Sequence, residues 1–169
     1  MCSMTRRLRY ALLMVVAALS AGCATAPPLD TRGVNRAVTP AAAAHRPERF
    51  AGQRVLWAGT IVQARNLRDR TELEVLGYPL EANLGPDMSA TAQGRFLVEK
   101  PGYLESVDYA PGREITVVGT LGGVREGKVG ETPYRFPVVT AYQLYLWPPA
   151  AARRGSNVHF GVGVGVMVH

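Results

Sequence analysis

Turn residues interrupt the chain between positions 53 and 147 so often that only short extended elements fit between them. The stretches between the glycines and prolines are rich in Val, Ile, Leu, Thr and aromatic residues, which favour strands. In 55–62 one face carries Val55, Trp57 and Ile61, and the other carries Leu56, Ala58 and Val62. In 71–80 the two glutamates face outward, and Leu73 and Val75 face inward. No interval of 10–15 residues has a helical period, which argues against a parallel α/β sheet. The predicted strands are residues 55–62, 71–80, 94–100, 113–121 and 134–147.

Five strands with a short helical turn at 104–108 predict an all-β fold, a small five-stranded OB-like barrel. Closing the sheet hides strand edges that an exported β protein would otherwise expose. A half-open sandwich is the alternative. Gly59 predicts a bend or bulge in the first strand, Pro137 predicts an edge or bulge in the fifth, and 122–130 is interpreted as a glycine-rich turn. A short helix is predicted over 41–50, with its proline favouring the first turn.

The first 22 residues have the parts of a removable secretory signal. Three arginines precede a run made only of Ala, Leu, Met and Val, and small residues follow. The run is about half of the roughly 20 residues that span a bilayer, so it is not a permanent anchor. A cysteine directly after Gly22 resembles the lipobox of bacterial lipoproteins, in which the thiol takes up a diacylglyceryl group. We therefore predict cleavage between Gly22 and Cys23 and lipidation of Cys23; an ordinary signal beside a chance cysteine is the alternative.

The cysteine count agrees with lipidation. The chain has two cysteines, and Cys2 leaves with the signal. The mature chain then keeps one thiol, which excludes an internal disulfide and a thiolate metal cluster. An odd cysteine in an exported protein needs an explanation, and lipidation supplies one.

Four regions follow from these patterns. Residues 1–22 are the signal, and residues 23–44, rich in Ala, Pro and Thr, are predicted to be the lipidated cysteine and a flexible tether. The β domain spans 45–149. In the tail, 150–169, glycines and valines alternate, so it is either a membrane-facing or partner-pairing segment, or a last strand or poorly ordered end.

The charge of the chain excludes one class of partner. The formal net charge is +6, and three of the arginines lie in the signal. The remaining basic residues are scattered rather than gathered into a stripe. Nucleic acid is therefore not an expected partner.

No catalytic or metal-binding constellation is predicted. The histidines, His45, His159 and His169, have no ligand spacing to Asp, Glu or Cys. Glu105 and Asp108 are three residues apart and are a conceivable acid–base pair, but a capped, solvated turn is the favoured explanation. We expect no enzyme activity and no cofactor.

Aromatic residues are the remaining candidates for a binding site. Trp57, Tyr103, Tyr109 and Tyr134 are predicted to line a groove for a glycan or peptide, because rings stack and their polar ends find partners. OB barrels often bind ligands across one face. The alternative is that these rings fill the barrel core.

Several short motifs, in order and spacing, resemble the Slp family of starvation-inducible outer-membrane lipoproteins. The resemblance covers residues 45–147 and the lipobox. It departs at Ala58-Gly59, where two glycines are expected. The motifs are Phe50-Ala51-Gly52-Gln53, Trp57 to Ile61, Arg65-Asn66-Leu67, Thr71 to Val75, Tyr78-Pro79-Leu80, Gly94-Arg95-Phe96, Gly102-Tyr103-Leu104-Glu105, Asp108-Tyr109, Val117-Val118-Gly119, Gly127-Lys128-Val129-Gly130 and Tyr134.

The resemblance implies an envelope lipoprotein that the lipid on Cys23 ties to the outer membrane. Ala24 agrees with this, because an Asp in that position tends to retain such proteins at the inner membrane. It implies a link to starvation or stress and a structural or partner-binding role, and it carries no active site. The alternative function is a periplasmic module that binds a small envelope ligand such as a glycan or peptide fragment.

Overall fold

The structure, a computed structural model, describes residues 26–149. The predicted signal, Cys23 and the Gly/Val tail lie outside these residues. Two short helices precede five strands, which account for about half of the described residues. The elements are α1 Pro40–His45, α2 Pro47–Phe50, β1 Arg54–Asn66, β2 Arg70–Tyr78, β3 Gly94–Pro101, β4 Glu114–Val129 and β5 Thr132–Leu146.

The five strands close on themselves in the order β1-β2-β3-β5-β4, with β4 pairing back to β1. Every pairing is antiparallel except the one between β3 and β5. The predicted all-β, five-stranded OB-like barrel is therefore confirmed, and the half-open sandwich is wrong. Within residues 26–149, no helix has both the length and the apolar character needed to cross a membrane.

The interior of the barrel is filled by the strand faces that the alternation predicted. Val55, Trp57 and Ile61 point into the core from β1, whereas Leu56 points outward and packs in a second cluster with Val118. Gly59 itself pairs in register with Gly77 and Ile115, so no bulge forms at the predicted residue. The register of β1 against β2 shifts further along the strand, between Ile61 and Gln63. The main core comprises Val38, Ala43, Val55, Trp57, Ile61, Leu73, Val75, Phe96, Val98, Ile115, Val117, Leu121, Val139 and Ala141.

The glycine-rich segment 122–130 was predicted to be a turn, and this is wrong. β4 continues to Val129, and the chain reverses at Gly130, which has a φ of 57°. The two glycines at 122 and 123 sit in a register shift between Leu121 and Val124, opposite Val138. A bulge in β4 absorbs the glycines and lets the strand continue, so the irregularity predicted at Pro137 in β5 lies in β4, beside the Val124–Pro137 pair.

An ion cluster ties this long β4–β5 hairpin to the outside of the barrel. The Arg125 guanidinium donates to Glu72 on β2 and, at 2.6 Å, to Glu99 on β3. Glu72 faces away from the core, as predicted, but its side chain is only 8% exposed because it lies beneath this contact. The hydrogen bond that Arg125 donates to Glu72 is the main reason that the pKa of Arg125 is raised.

The two predicted helical pieces are shorter than expected. The segment 41–50 forms two helices, because Arg46 adopts φ −135°, ψ 62° before Pro47. Proline disfavours the helical conformation in the residue before it. The turn predicted at 104–108 is a single α-turn, in which the Tyr109 amide donates to the Glu105 carbonyl at 3.1 Å, and no helix forms there.

The flexible tether predicted over residues 23–44 is not what the structure shows from residue 26 onward. Leu29 and Val34 pack against the outer cluster of Leu56 and Val118, and Val38 is buried in the barrel core. The Asn35 amide donates to the Arg54 carbonyl at 2.7 Å, so the segment also joins the start of β1. A few apolar residues, widely spaced among Ala, Pro and Thr, are enough to dock the segment.

Candidate functional site

The four aromatic residues of the predicted groove do not come together in one place. Trp57 lies inside the barrel and is 5% exposed. Its indole N–H donates to the Val38 carbonyl at 2.7 Å, and its ring packs edge-on against Phe96 at a centroid distance of 4.9 Å. Trp57 therefore anchors the N-terminal segment to the core.

Tyr134 is also a packing residue. Its hydroxyl accepts a hydrogen bond from the Arg95 amide at 2.8 Å, and its ring lies 4.7 Å from that of Phe136. These contacts join the β4–β5 hairpin to the start of β3. Tyr134 and Trp57 therefore pack in different places.

Tyr103 and Tyr109 lie on the loop between β3 and β4. Tyr103 is 65% exposed, and its hydroxyl is 3.3 Å from a Glu105 carboxylate oxygen. Tyr109 is half-buried against the core, and this burial, reinforced by the charge of Asp108, raises the pKa of its hydroxyl. Only Tyr103 is available to a partner.

Tyr103 belongs to an exposed apolar surface at this end of the barrel. We call Leu67, Tyr103 and Val107 the distal patch; they are 44%, 65% and 80% exposed. Leu67 lies on the β1–β2 turn, and the other two lie on the β3–β4 loop. Large apolar side chains exposed together often mark an interaction site.

Hydrogen bonds join the two loops that carry the distal patch. The Asn66 side-chain amide donates to the Leu104 carbonyl at 3.1 Å and to the Ser106 hydroxyl at 3.2 Å. The Leu104 amide donates to the Thr71 hydroxyl at 2.9 Å. The patch is therefore held in place before any partner arrives.

A cleft lies between the docked N-terminal segment and the end of β2. Its volume is about 470 Å³, within the usual range for small-ligand sites. Trp57 is the one predicted groove residue that lines it. The lining mixes one cation, one carboxylate, a phenol and an amide with apolar side chains: Arg36, Val38, Thr39, Leu56, Trp57, Tyr78, Pro79, Leu80, Glu81, Ala82 and Gln93.

The conceivable acid–base pair, Glu105 and Asp108, lies on an exposed turn. The Asp108 amide donates to the Glu105 carbonyl, so their backbones belong to one turn at the surface. Within 26–149, no group of three or more His, Cys, Asp or Glu side chains is arranged to hold a metal ion. Gly22 and Cys23, the predicted cleavage and lipidation residues, lie outside the described range.

The chain is similar to proteins of one lipoprotein family. The profile of the Outer membrane lipoprotein Slp family matches residues 20–163. The lipoprotein YeaY of Escherichia coli K12 is 35% identical over 99 residues, which are 57% of this chain and 51% of that protein. Outer membrane protein Slp of the same organism is 30% identical over 103 residues, covering 61% of this chain and 54% of that protein. The chain thus spans about half the length of these relatives.

Among solved structures, a small single-stranded DNA-binding protein from Streptomyces coelicolor aligns with 56% of this chain and 94% of its own, at 16% identity and a TM-score of 0.38. A similarity this low carries no argument about a ligand. The family match extends from the end of the predicted signal through the whole barrel. The chain belongs to the Slp family of outer-membrane lipoproteins.

Proposed function

We propose that this protein is a non-enzymatic lipoprotein, anchored in the outer membrane through a lipid on Cys23, whose barrel presents the distal patch to a protein partner in the cell envelope. The observation that carries the proposal is the exposure of Leu67, Tyr103 and Val107 on one rigid end of the barrel. Aromatic and aliphatic residues on a preformed surface bind with a small loss of conformational freedom.

The position of the patch supports this role. The 13 residues of β1 run from Arg54, beside the N-terminal segment, to Asn66, beside the patch. A strand of this length extends about 40 Å. The N-terminal segment that the structure describes and the distal patch therefore lie at opposite ends of β1.

The anchor is tested by the intact mass and the membrane fractionation of the expressed protein, compared with Cys23→Ser. We expect the wild type to lose residues 1–22, gain acyl mass and sediment with the outer membrane, and the variant to do neither. A mature protein of unmodified mass in the soluble fraction would refute the anchor.

The partner surface is tested by photo-crosslinking in intact cells, with the crosslinker at Val107 or, as a control, at Thr132 on the hairpin tip. We expect a discrete adduct from position 107 that disappears when Tyr103→Asp is added. Equal crosslinking from both positions, or adducts that Tyr103→Asp leaves unchanged, would count against the patch.

A second candidate function is the binding of a small envelope ligand, such as a glycan or peptide fragment, in the cleft. The volume of the cleft and its mixed lining, with Arg36, Tyr78 and Glu81, favour it. Titration with cell-wall fragments should then change the fluorescence of Trp57, and Glu81→Gln should weaken the response. No response to a broad panel of fragments would rule this function out.

The absence of enzyme activity is part of the proposal. Glu105 is the residue on which a catalytic role is best tested, because it is an exposed carboxylate beside a tyrosine hydroxyl. If Glu105→Gln reproduces the phenotype of a deletion strain while the protein remains folded and membrane-bound, a catalytic role replaces the non-enzymatic one.

A further inference from the structure

We propose that the barrel docks on the membrane through one basic face, which contacts the anionic phospholipid headgroups around the lipid anchor. The basic face consists of Arg32, Arg36, Arg49, Arg54 and Tyr142. The docking rests on the proposed lipidation of Cys23. It adds to the proposed function an orientation of the barrel in which the distal patch points away from the bilayer.

The first argument is the length of chain between the lipid and the barrel. Cys23 precedes Ala26 by three residues, which reach at most about 10 Å. From there on the chain is already attached to the barrel: Pro27 is buried, and the Asp30 amide donates to the Gln143 side chain at 2.9 Å. A lipid on Cys23 therefore holds this side of the barrel against the headgroups.

The second argument is that the basic residues on this side form one continuous surface. The Arg54 guanidinium donates to the Asp30 carbonyl at 2.9 Å and stacks on Tyr142 at 5.8 Å. The Asn35 side chain donates to Gln53 at 2.9 Å, and Gln53 donates to the Arg49 carbonyl at 2.9 Å. These bonds place the segment 30–36 beside the segment 49–54.

The third argument is that the part of the chain that carries the basic face has an excess of positive charge. Residues 26–54 contain five arginines against Asp30 and Glu48, whereas residues 55–149 contain nine basic and eleven acidic residues. Asp30 pairs with both Arg32 and Arg54, and the hydrogen bonds from Arg32 hold the pKa of this carboxyl well below its usual range. Among residues 26–149, no acidic side chain pairs with Arg36 or Arg49. Their charges remain available to phosphate groups.

The fourth argument is the aromatic residue on this face. Tyr142 is 54% exposed although it is large and mostly apolar. A tyrosine next to arginines is typical of the membrane interface, where the ring enters the headgroup region and the hydroxyl stays hydrated. The face therefore combines an aromatic side chain, basic charge and the shortest path to the lipid.

The docking is tested on the full mature protein in vesicles. Once Cys2 is removed with the signal and Cys23 is acylated, an introduced cysteine is the only free thiol. Ala37→Cys, on the basic face, and Val107→Cys, on the distal patch, are both exposed positions and accept a nitrobenzoxadiazole label. The vesicles contain phosphatidylethanolamine with phosphatidylglycerol, or phosphatidylcholine alone, and a headgroup-bound quencher.

We expect the label at position 37 to shift to the blue and to be quenched in phosphatidylglycerol vesicles, and the label at 107 to do neither. Arg36→Gln with Arg49→Gln should lower the ratio of docked to undocked barrels by about 25-fold, or about fivefold for each arginine. The matched control, Arg65→Gln with Arg68→Gln at the other end of β1, removes the same charge and should have no effect.

Equal quenching at positions 37 and 107, or none at either in vesicles that carry the acylated protein, overturns the docking and leaves the anchor intact. A quenching that the control pair abolishes as fully as the basic-face pair also overturns it, because net charge alone would then explain the effect. Failure of the anchor is recognised separately: the intact mass lacks acyl groups and the protein does not float with the vesicles.

Discussion

Gly59 and Gly119 lie where two strands approach too closely for any side chain. A Cβ on Gly59 would lie 2.2 Å from the Leu76 carbonyl oxygen, and one on Gly119 would lie 2.4 Å from the Thr140 carbonyl oxygen. Both obstacles are backbone atoms of a neighbouring strand, so a side-chain rotation cannot relieve them. These two glycines therefore set the curvature with which the sheet closes.

We predict that Gly59→Ala destabilises the barrel by about 1–3 kcal/mol, the usual range for overpacking. The urea-unfolding midpoint of the mature protein measures this. Gly123→Ala is the matched control, since nothing lies within 4 Å of its Cβ and its φ is not positive. Similar midpoints for the two variants would show that the close approach at Gly59 does not constrain the fold.

Trp57→Phe should reveal how strongly one side chain holds the N-terminal segment. The substitution keeps an aromatic ring in the core but removes the donor for the Val38 carbonyl. A buried acceptor without its partner costs about 1–3 kcal/mol, and we expect a loss of that size in the free energy of unfolding. Tyr142→Phe removes a hydroxyl whose hydrogen bond with Thr120 is exposed to solvent. It should change the free energy of unfolding little, and an equal loss there would contradict the assignment.

At the scale of elements, the ion cluster stabilises the β4–β5 hairpin in addition to the backbone hydrogen bonds between its two strands. Arg125→Met leaves Glu72 nearly buried without its cation. Breaking a buried pair costs about 3–5 kcal/mol, but Arg125 is 42% exposed and solvent screens its charge, so we predict a loss of about 1–3 kcal/mol.

A double-mutant cycle with Glu72→Gln measures the coupling directly. Arg135→Met is the control, because its pair with Glu126 is exposed on both sides and should contribute about 0–0.5 kcal/mol. A coupling energy near zero between positions 72 and 125 would mean that the hairpin lies on the barrel without help from the ion cluster.

The elements also show what local sequence can and cannot predict. The two faces of β1 and β2 followed from alternation, because each strand buries one face and the period of two is local. The segment 122–130 was mispredicted, because its glycines occupy a bulge and an exposed hairpin, and the segment itself does not show that it pairs with residues 132–137. Glu72 was placed on the correct face, but nothing near it in sequence indicates the Arg125 that covers it.

At the scale of the whole molecule, the membership of the chain in its family was predictable and the candidate sites were not. The lipobox and the order of short motifs are sequence features, so the resemblance to the Slp family needed no coordinates. The cleft depends on residues 36–39 folding back against β2, and that segment has the composition of a linker. The prediction of an aromatic groove was wrong for a related reason, because the sequence does not show that Trp57 and Tyr134 pack against other parts of the barrel.

The last prediction concerns this N-terminal segment. Replacing residues 28–37 by a Gly/Ser sequence of equal length keeps the length of the connection between the lipid and the barrel. It removes Leu29 and Val34 from the outer cluster and thereby exposes Leu56 and Val118. The lost apolar burial should lower the free energy of unfolding by about 2–4 kcal/mol, measured by urea unfolding of the mature protein in detergent. Replacing the exposed loop residues Thr91 and Ala92 by Gly-Ser should leave the midpoint nearly unchanged. If both replacements behave alike, the segment is a tether after all, and the barrel is not held at the short distance from its lipid that membrane docking needs.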